Sequence, residues 1–399
     1  MPVENSISTG RRIDARRIER GLSQHALAER AGVSYSLLTK VISGNKPATA
    51  ELIASVARAL GIDAVELQTP PYAGGVTDPL FPLMAPIRAA LDLYDLDPTD
   101  DVHPRPLPVL RKAVHDINAQ AQAAKYKPMA LKLPALLTEL HAAAHTFTGL
   151  DQQVAWGLLA EAYRCAHSVG IAIGLTDLST TGLNRMDWAA QYSGDRAPGL
   201  RAAREYLRVT AYLRLGDLEA CRRLQDNGRT LLQGTDDATP GALVMAGQLH
   251  LGSAVVAARA RDTDLMKEHL DQAARIAKQT GETGDFSVHF GPTNVRVHRV
   301  MTLVESGQHA EAVSAAEREI YFPAGWAPTR IGHHHIDLAR AYRWMNKPDE
   351  ALRHLDQAHA AAPQQAHRHP LVRETVTALA KASKRPSTAL STWITRTGV

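Results

Sequence analysis

Apolar residues recur at helical spacing over most of the 399-residue chain, and the alternation of apolar and polar positions that builds strands is missing. Between residues 9 and 67 the pattern predicts five short helices. Leu27, Ala28 and Ala31 form one apolar stripe, Leu38 and Val41 a second, and Leu52, Ile53, Val56, Ala57 and Leu60 a third. Ser23 and Ser34 stand where helices begin, and their side-chain oxygens can accept from free backbone amides. Gly32 follows a helix end and can take the positive φ that reverses the chain, with Val33 plugging the turn. Residues 69–79 hold three prolines and two glycines and predict a linker. From residue 81 to about 382 helical patterns alternate with breakers at 97–101, 194–198, 234–237 and 281–285. The Ser- and Thr-rich end reads as a loose tail that Trp393 and Ile394 can dock. The expected organisation is a tail (1–8), a five-helix domain (9–69), a linker (70–80), a helical array (81–383) and a tail (384–399).

Length alone argues for more than one core. Aromatic residues are 5% of the chain, so strand formers are scarce, and the fold class is all-α. The net charge of +4 is a weak bias, but residues 9–47 carry eight Arg or Lys against three Asp or Glu. One end of the molecule is therefore suited to a phosphate backbone. Cys165 and Cys221 lack metal-ligand spacing and read as buried, reduced thiols. The first residues have neither the basic start nor the apolar core of a signal peptide. No apolar run is expected to approach the roughly 20 residues of a membrane span, so a cytoplasmic protein without membrane contact is expected.

The capped segment after Gly32 carries the most specific chemistry. With Ser34 at its start, it turns Tyr35, Ser36, Thr39 and Lys40 outward together while Leu38 and Val41 face the core. A helix of this size fits the major groove of double-stranded DNA, where such side chains reach base edges. Gln24 opens the preceding helix, where side chain and amide can hold a phosphate. Asn45 and Lys46, after the helix, can grip neighbouring phosphates.

Gly21-Leu22-Ser23-Gln24, then Leu-Ala-Glu-Arg-Ala-Gly-Val-Ser over 27–34, then Ser43-Gly44-x-x-Pro47 resemble the phage-repressor type of helix-turn-helix domain, the XRE family, over residues 10–67. The resemblance implies that Gln24 touches phosphate and that Tyr35, Ser36 and Lys40 face bases. Arg16 departs from the family pattern, which often has an apolar residue there, and Ile18 is expected to compensate. Reading a palindrome requires two copies about 34 Å apart, so a homodimer is expected.

In the array, Leu338, Ala339, Tyr342, Ala351, Leu355 and Ala358, followed by Pro363, resemble the tetratricopeptide pattern of about 34 residues, with His335 at its usual tryptophan. Weaker copies lie near 207–224, 254–273 and 300–316. Such hairpins stack into a solenoid whose concave face is lined by the first helix of each pair. That face is expected to include Tyr212, Gln248, Arg259, Asn294, His333, Arg340 and Arg343, and to take a small peptide or metabolite effector. The architecture resembles the peptide-sensing quorum regulators of the RRNPP group. The phrase 290–295, Phe-Gly-Pro-Thr-Asn-Val, also resembles one recurrent in long XRE-type regulators. A protein–protein adaptor, with DNA binding secondary or lost, is the alternative.

Other histidines are weaker signals. Adjacent helical residues point apart, so His333, His334 and His335 cannot share one ion. His141 and His145 have workable spacing, but no zinc motif surrounds them. No phosphate-binding glycine loop, nucleophile elbow or paired-carboxylate arrangement stands out. No cofactor, no metal and no enzymatic activity are expected.

Overall fold

The computed structural model describes residues 9–46, 48–62, 64–67, 78–233 and 240–399. The expected tail (1–8), residues 70–77 of the expected linker, Pro47 and the breaker at 234–237 lie outside the described residues. The fold is all-α, with a helix-turn-helix head followed by a helical body.

The head contains α1 (Thr9–Glu19), α2 (Gln24–Ala31), α3 (Tyr35–Ile42), α4 (Ala50–Leu60) and α5 (Ala64–Leu67). Ile13, Leu27, Leu38, Val41, Val56 and Leu60 are buried in one core. Ile18 does not compensate for Arg16, because it is 61% exposed. Ile13 supplies the apolar contact of α1 instead. Arg17 reaches across to the Leu22 carbonyl at 2.5 Å and to Asp14 at 2.7 Å, and Arg20 donates to the Leu60 carbonyl. Arg16 stays on the outer side, paired with Glu19 at 2.8 Å.

The body opens with α6 (Met84–Asp92), α7 (Leu107–Gln122) and α8 (Tyr126–Thr146). Helical pairs follow: α9 (Gly149–Ile173) with α10 (Thr176–Ala190), α11 (Ala197–Leu215) with α12 (Leu218–Leu232), and α13 (Pro240–Ala260) with α14 (Thr263–Thr280). A hairpin of β1 (Thr283–Asp285) and β2 (Val288–Phe290) precedes α15 (Pro292–Glu305), α16 (His309–Glu319), α17 (Pro328–Trp344) and α18 (Pro348–Ala361). The chain ends in α19 (Pro363–Arg368), α20 (Pro370–Ala382) and α21 (Thr388–Thr397).

Local chemistry explains the boundaries. Asp217 and Asp262 accept from the Ala220 and Leu265 amides to start α12 and α14. Proline stands in the first turn of α15, α17, α18 and α20, where its missing amide hydrogen is no loss. In α14 the buried residues Met266, Leu270, Ala273 and Ala277 make one stripe at helical spacing.

Three expectations change. Pro240–Ala260 is long and apolar enough to cross a bilayer by length and composition alone. Its residues are mostly buried against α11, α12, α14 and α15, so its apolarity is already used in packing. The breaker at 281–285 hides the β-hairpin, whose register pairs Thr283 with Phe290 and Asp285 with Val288. Its two turn residues, Phe286 and Ser287, both have positive φ. The Phe286 ring lies where a side chain at Gly199 or Gly241 would stand, and Phe290 does the same at Gly247. Finally, the C-terminal segment is no loose tail. Ser387 caps α21, Trp393 is fully buried, and its indole donates to Asp356 at 3.0 Å.

The two ends of the body meet. Arg368 lies 3.3 Å from both carboxylate oxygens of Asp78, and both side chains are largely buried. The Tyr126 amide donates to Gln364, and α9 and α7 touch α19 and α17. Residues 78–80 therefore belong to the body, with Leu80 in its core. Cys165 and Cys221 are both buried and free. Burial pushes the Cys165 thiol up to about 11, far from a reactive thiolate.

Candidate nucleic-acid interface

The Ser23 hydroxyl accepts from the Ala26 amide at 3.0 Å and the Ser34 hydroxyl from the Leu37 amide at 3.2 Å. Gly32 between them has φ 65°, which spares the turn the strain a Cβ would bring. This fixes α3 across α2 with Leu38 and Val41 inward. Tyr35, Ser36 and Lys40 are exposed and share the outer face; Thr39 is half-buried beside them. Thr39 donates to the Gln24 side chain at 3.3 Å, so Gln24 is tied to α3 as well as placed at the start of α2.

One member of this face was not anticipated. His25 stacks on Tyr35 with ring centroids 3.7 Å apart and planes 4° from parallel. The pair stiffens an exposed aromatic that would otherwise be free to rotate. The signal was present in the sequence as two polar-tipped rings opening consecutive helices.

Beyond α3, Gly44 turns with φ 79°, and the Asn45 and Lys46 amides both donate to the Lys40 carbonyl, at 2.8 and 3.0 Å. Asn45 is exposed and Lys46 half-buried. Both residues also border a chamber of about 1850 Å³ between the head and the array. Its opposite walls come from the C-terminal ends of α11, α13, α15 and α17 and from α20.

Tyr212, Arg259, Arg340 and Arg343 line this chamber. The other residues expected in a groove do not. Gln248 and Asn294 are fully buried and bonded to each other at 3.1 Å, and Asn294 also donates to the His289 carbonyl. They join α13 to α15 as a packing pair. His333 does not line the chamber; it lies 3.8 Å from Asp337 and in edge contact with His369. A linear repeat pattern places residues on the first helix of a pair. It does not tell the open edge of that helix from the edge covered by the next one.

The chamber floor is an ion network. Glu305 meets Arg259 and Arg340 at 2.9 Å each, and Arg340 also meets Asp337 at 3.2 Å. Burial alone would raise the Glu305 carboxyl, but the two guanidinium groups hold it down at about 2. Burial pushes the Asp337 carboxyl up.

The remaining histidines are dispersed. His334 contacts Phe322 and His335 faces His354, with Nδ1 atoms 3.1 Å apart. His141 bonds the Leu96 carbonyl and His145 the His141 carbonyl, both at 2.9 Å. Among the described residues no three metal-ligating side chains gather.

A capped helix with an exposed polar face, held over a partner helix by a buried apolar stripe, defines a DNA-binding head. Residues 13–67 match the helix-turn-helix family, of the XRE type, and the chain thus carries the DNA-binding domain of a regulator. Among curated proteins and solved structures nothing matches the chain.

Proposed function

We propose that the protein is a sequence-specific transcription regulator that binds double-stranded DNA as a homodimer in the cytoplasm and responds to a small peptide or metabolite held by its helical body. The observation that carries the DNA half is the joint exposure of Tyr35, Ser36 and Lys40 on a helix whose other face is locked into the core. Gln24, Ser34, Asn45 and Lys46 surround that face as phosphate-positioning groups.

Two features support the effector half. The Asn45–Lys46 turn borders both the DNA face and the chamber, so a ligand in the chamber and a phosphate on DNA meet the same backbone. A repeated contact within the body also supports reading its hairpins as tetratricopeptide-like. His250 and His269 meet with Nδ1 atoms 3.1 Å apart, and His335 and His354 repeat that contact at the same distance and the same spacing of 19 residues. Resemblance to the quorum-sensing regulators rests on this architecture.

Selection of binding sites from random DNA with the full chain tests the reading. The expected result is a palindrome with half-sites about 10 base pairs apart, centre to centre. Lys40→Ala and Ser36→Ala should each weaken binding to the selected site by about 1–3 kcal/mol. Failure to enrich any sequence, with a co-purifying protein partner, favours the adaptor alternative.

A further inference from the structure

The chamber carries more positive charge than its own acids neutralise. Among the described residues its walls hold eight Lys or Arg against four Asp or Glu. Glu305 is already committed to Arg259 and Arg340. Arg343 is half-buried, and its guanidinium carbon sits 3.7 Å above the Trp344 ring. That guanidinium makes no hydrogen bond or ion pair among the described residues; the nearest attraction it feels is from Glu374. His309 stacks over the same indole, with planes 10° from parallel. Its Nδ1 is buried and has no hydrogen-bond partner. One end of the chamber therefore presents a guanidinium and an imidazole that lack an acceptor or donor.

Two lysines from other elements add to this charge. Lys381 on α20 borders the chamber, and Lys46 enters it from the head. Burial and then the Arg11 charge lower the Lys381 amine, while burial and then Arg373 lower the Arg12 guanidinium. The chamber thus gathers cations in a partly desolvated space, which a counter-anion would relieve.

We propose that the chamber binds a small multivalent anion carrying phosphate or carboxylate groups, with Arg343, His309 and Lys381 of the array and Lys46 of the head as its ligands. Guanidinium geometry suits either oxyanion, because each offers two acceptor oxygens to a planar fork. The volume of about 1850 Å³ accommodates a molecule of nucleotide size with water around it. The inference rests on the reading of the chamber as an effector site, and it adds a direction. Lys46 cannot serve the anion and a DNA phosphate at once, so the anion lowers DNA affinity. By linkage, DNA lowers anion affinity by the same factor.

The test uses the full chain and three probes, inorganic pyrophosphate, ATP and citrate, each titrated calorimetrically at matched ionic strength against chloride. At least one probe binds with one site per chain. Arg343→Gln and Lys381→Gln each weaken it by about tenfold, as expected for loss of one charge-assisted contact. Arg318→Gln, on the exposed side of α16 away from the chamber, leaves binding unchanged. Lys381 is exposed, so its variant keeps the test valid if Arg343→Gln disturbs folding. No binding above the chloride control, or unchanged binding by both chamber variants, overturns the anion site. The selected DNA site separates the two readings. Anion binding that lowers DNA affinity supports both. Anion binding that leaves DNA affinity untouched keeps the site and overturns the effector role. A neutral compound from cell extract that shifts DNA affinity while all three anions fail keeps the effector role and overturns the anion site.

Discussion

Replacing Glu305 by Gln removes the central charge of the chamber floor while keeping the side chain's size. The Glu305 side chain is 9% exposed, with Arg259 and Arg340 only partly reached by water. A carboxyl held at about 2, against an ordinary 4.5, corresponds to roughly 3 kcal/mol of interaction favouring the charged form. Breaking a buried pair by deleting one partner typically costs about 3–5 kcal/mol. Here Arg340 retains Asp337, and Arg259 retains the Leu213 carbonyl at 2.9 Å, so the lower end of that range applies. The expected destabilisation is about 3 kcal/mol at pH 7. Because the native carboxyl is depressed, this contribution is complete above pH 4.5 and fades as pH falls toward 2. All five tryptophans lie between Trp156 and Trp393, so urea unfolding followed by their fluorescence reports the array without the head. A loss below about 1 kcal/mol at unchanged m-value would refute the claim that Glu305 compensates the two buried guanidinium groups. A double-mutant cycle with Arg259→Gln then assigns the pairwise share.

Three further perturbations test other parts of the fold. Burial lowers His298 and His334 to about 3, so the folded state resists their protonation; stability should be full above pH 6.5 and fall as pH drops from there toward 3. At pH 5 each should cost roughly 2 kcal/mol, measured as a leftward shift of the urea midpoint. Gly247→Ala places a methyl 2.0 Å from the Phe290 ring and should destabilise by about 1–3 kcal/mol, with Phe290→Leu in the same chain recovering part of it. Trp393→Ala empties a fully buried site and should cost about 3–5 kcal/mol, measured by urea unfolding followed by circular dichroism at a helical wavelength.

The head was legible nearly residue by residue because its signals are local. Ser23, Gly32 and Ser34 each act on amides within a few positions, and Leu38 and Val41 report their face by spacing alone. Ile18 misled for a different reason. Its apolarity was visible, but only the crossing of α1 over the core decides that Ile13 points inward. In the body, element type followed from helical periodicity, whereas the chamber did not. His309, Trp344 and Lys381 come from separate helices and border one chamber only once the array is folded. The phrase at 290–295 stood out in the sequence without an assignable contact. Its residues form a joint: Phe290 packs on Gly247, Pro292 starts α15, the Thr293 amide is held by Glu282 at 2.6 Å, and Asn294 ties to Gln248. Gln248 and Asn294 were polar residues at helical positions where a groove was expected. Their mutual bond and the Asn294 bond to the His289 carbonyl satisfy part of their buried polar surface, while Gln248 Nε2 and Asn294 Oδ1 have no hydrogen-bond partner.

Closure of the body constrains how any effector signal travels. An open solenoid flexes along its whole length, because each repeat touches only its neighbours. Here Asp78 and Arg368, 290 positions apart, join the ends through a largely buried ion pair, and Gln364 holds the Tyr126 amide beside it. Opening that ring would separate a largely buried ion pair, and breaking such pairs typically costs about 3–5 kcal/mol, against typical coupling energies of about 1–3 kcal/mol. A ligand therefore acts more cheaply at the seam where α4 and α5 rest on α11 and where the Asn45–Lys46 turn faces the chamber. That seam is bordered by cations on both sides and holds the turn that follows the DNA-reading helix. On the proposed reading the head moves on a fixed ring, and the charge at the seam, not the shape of the array, sets its position.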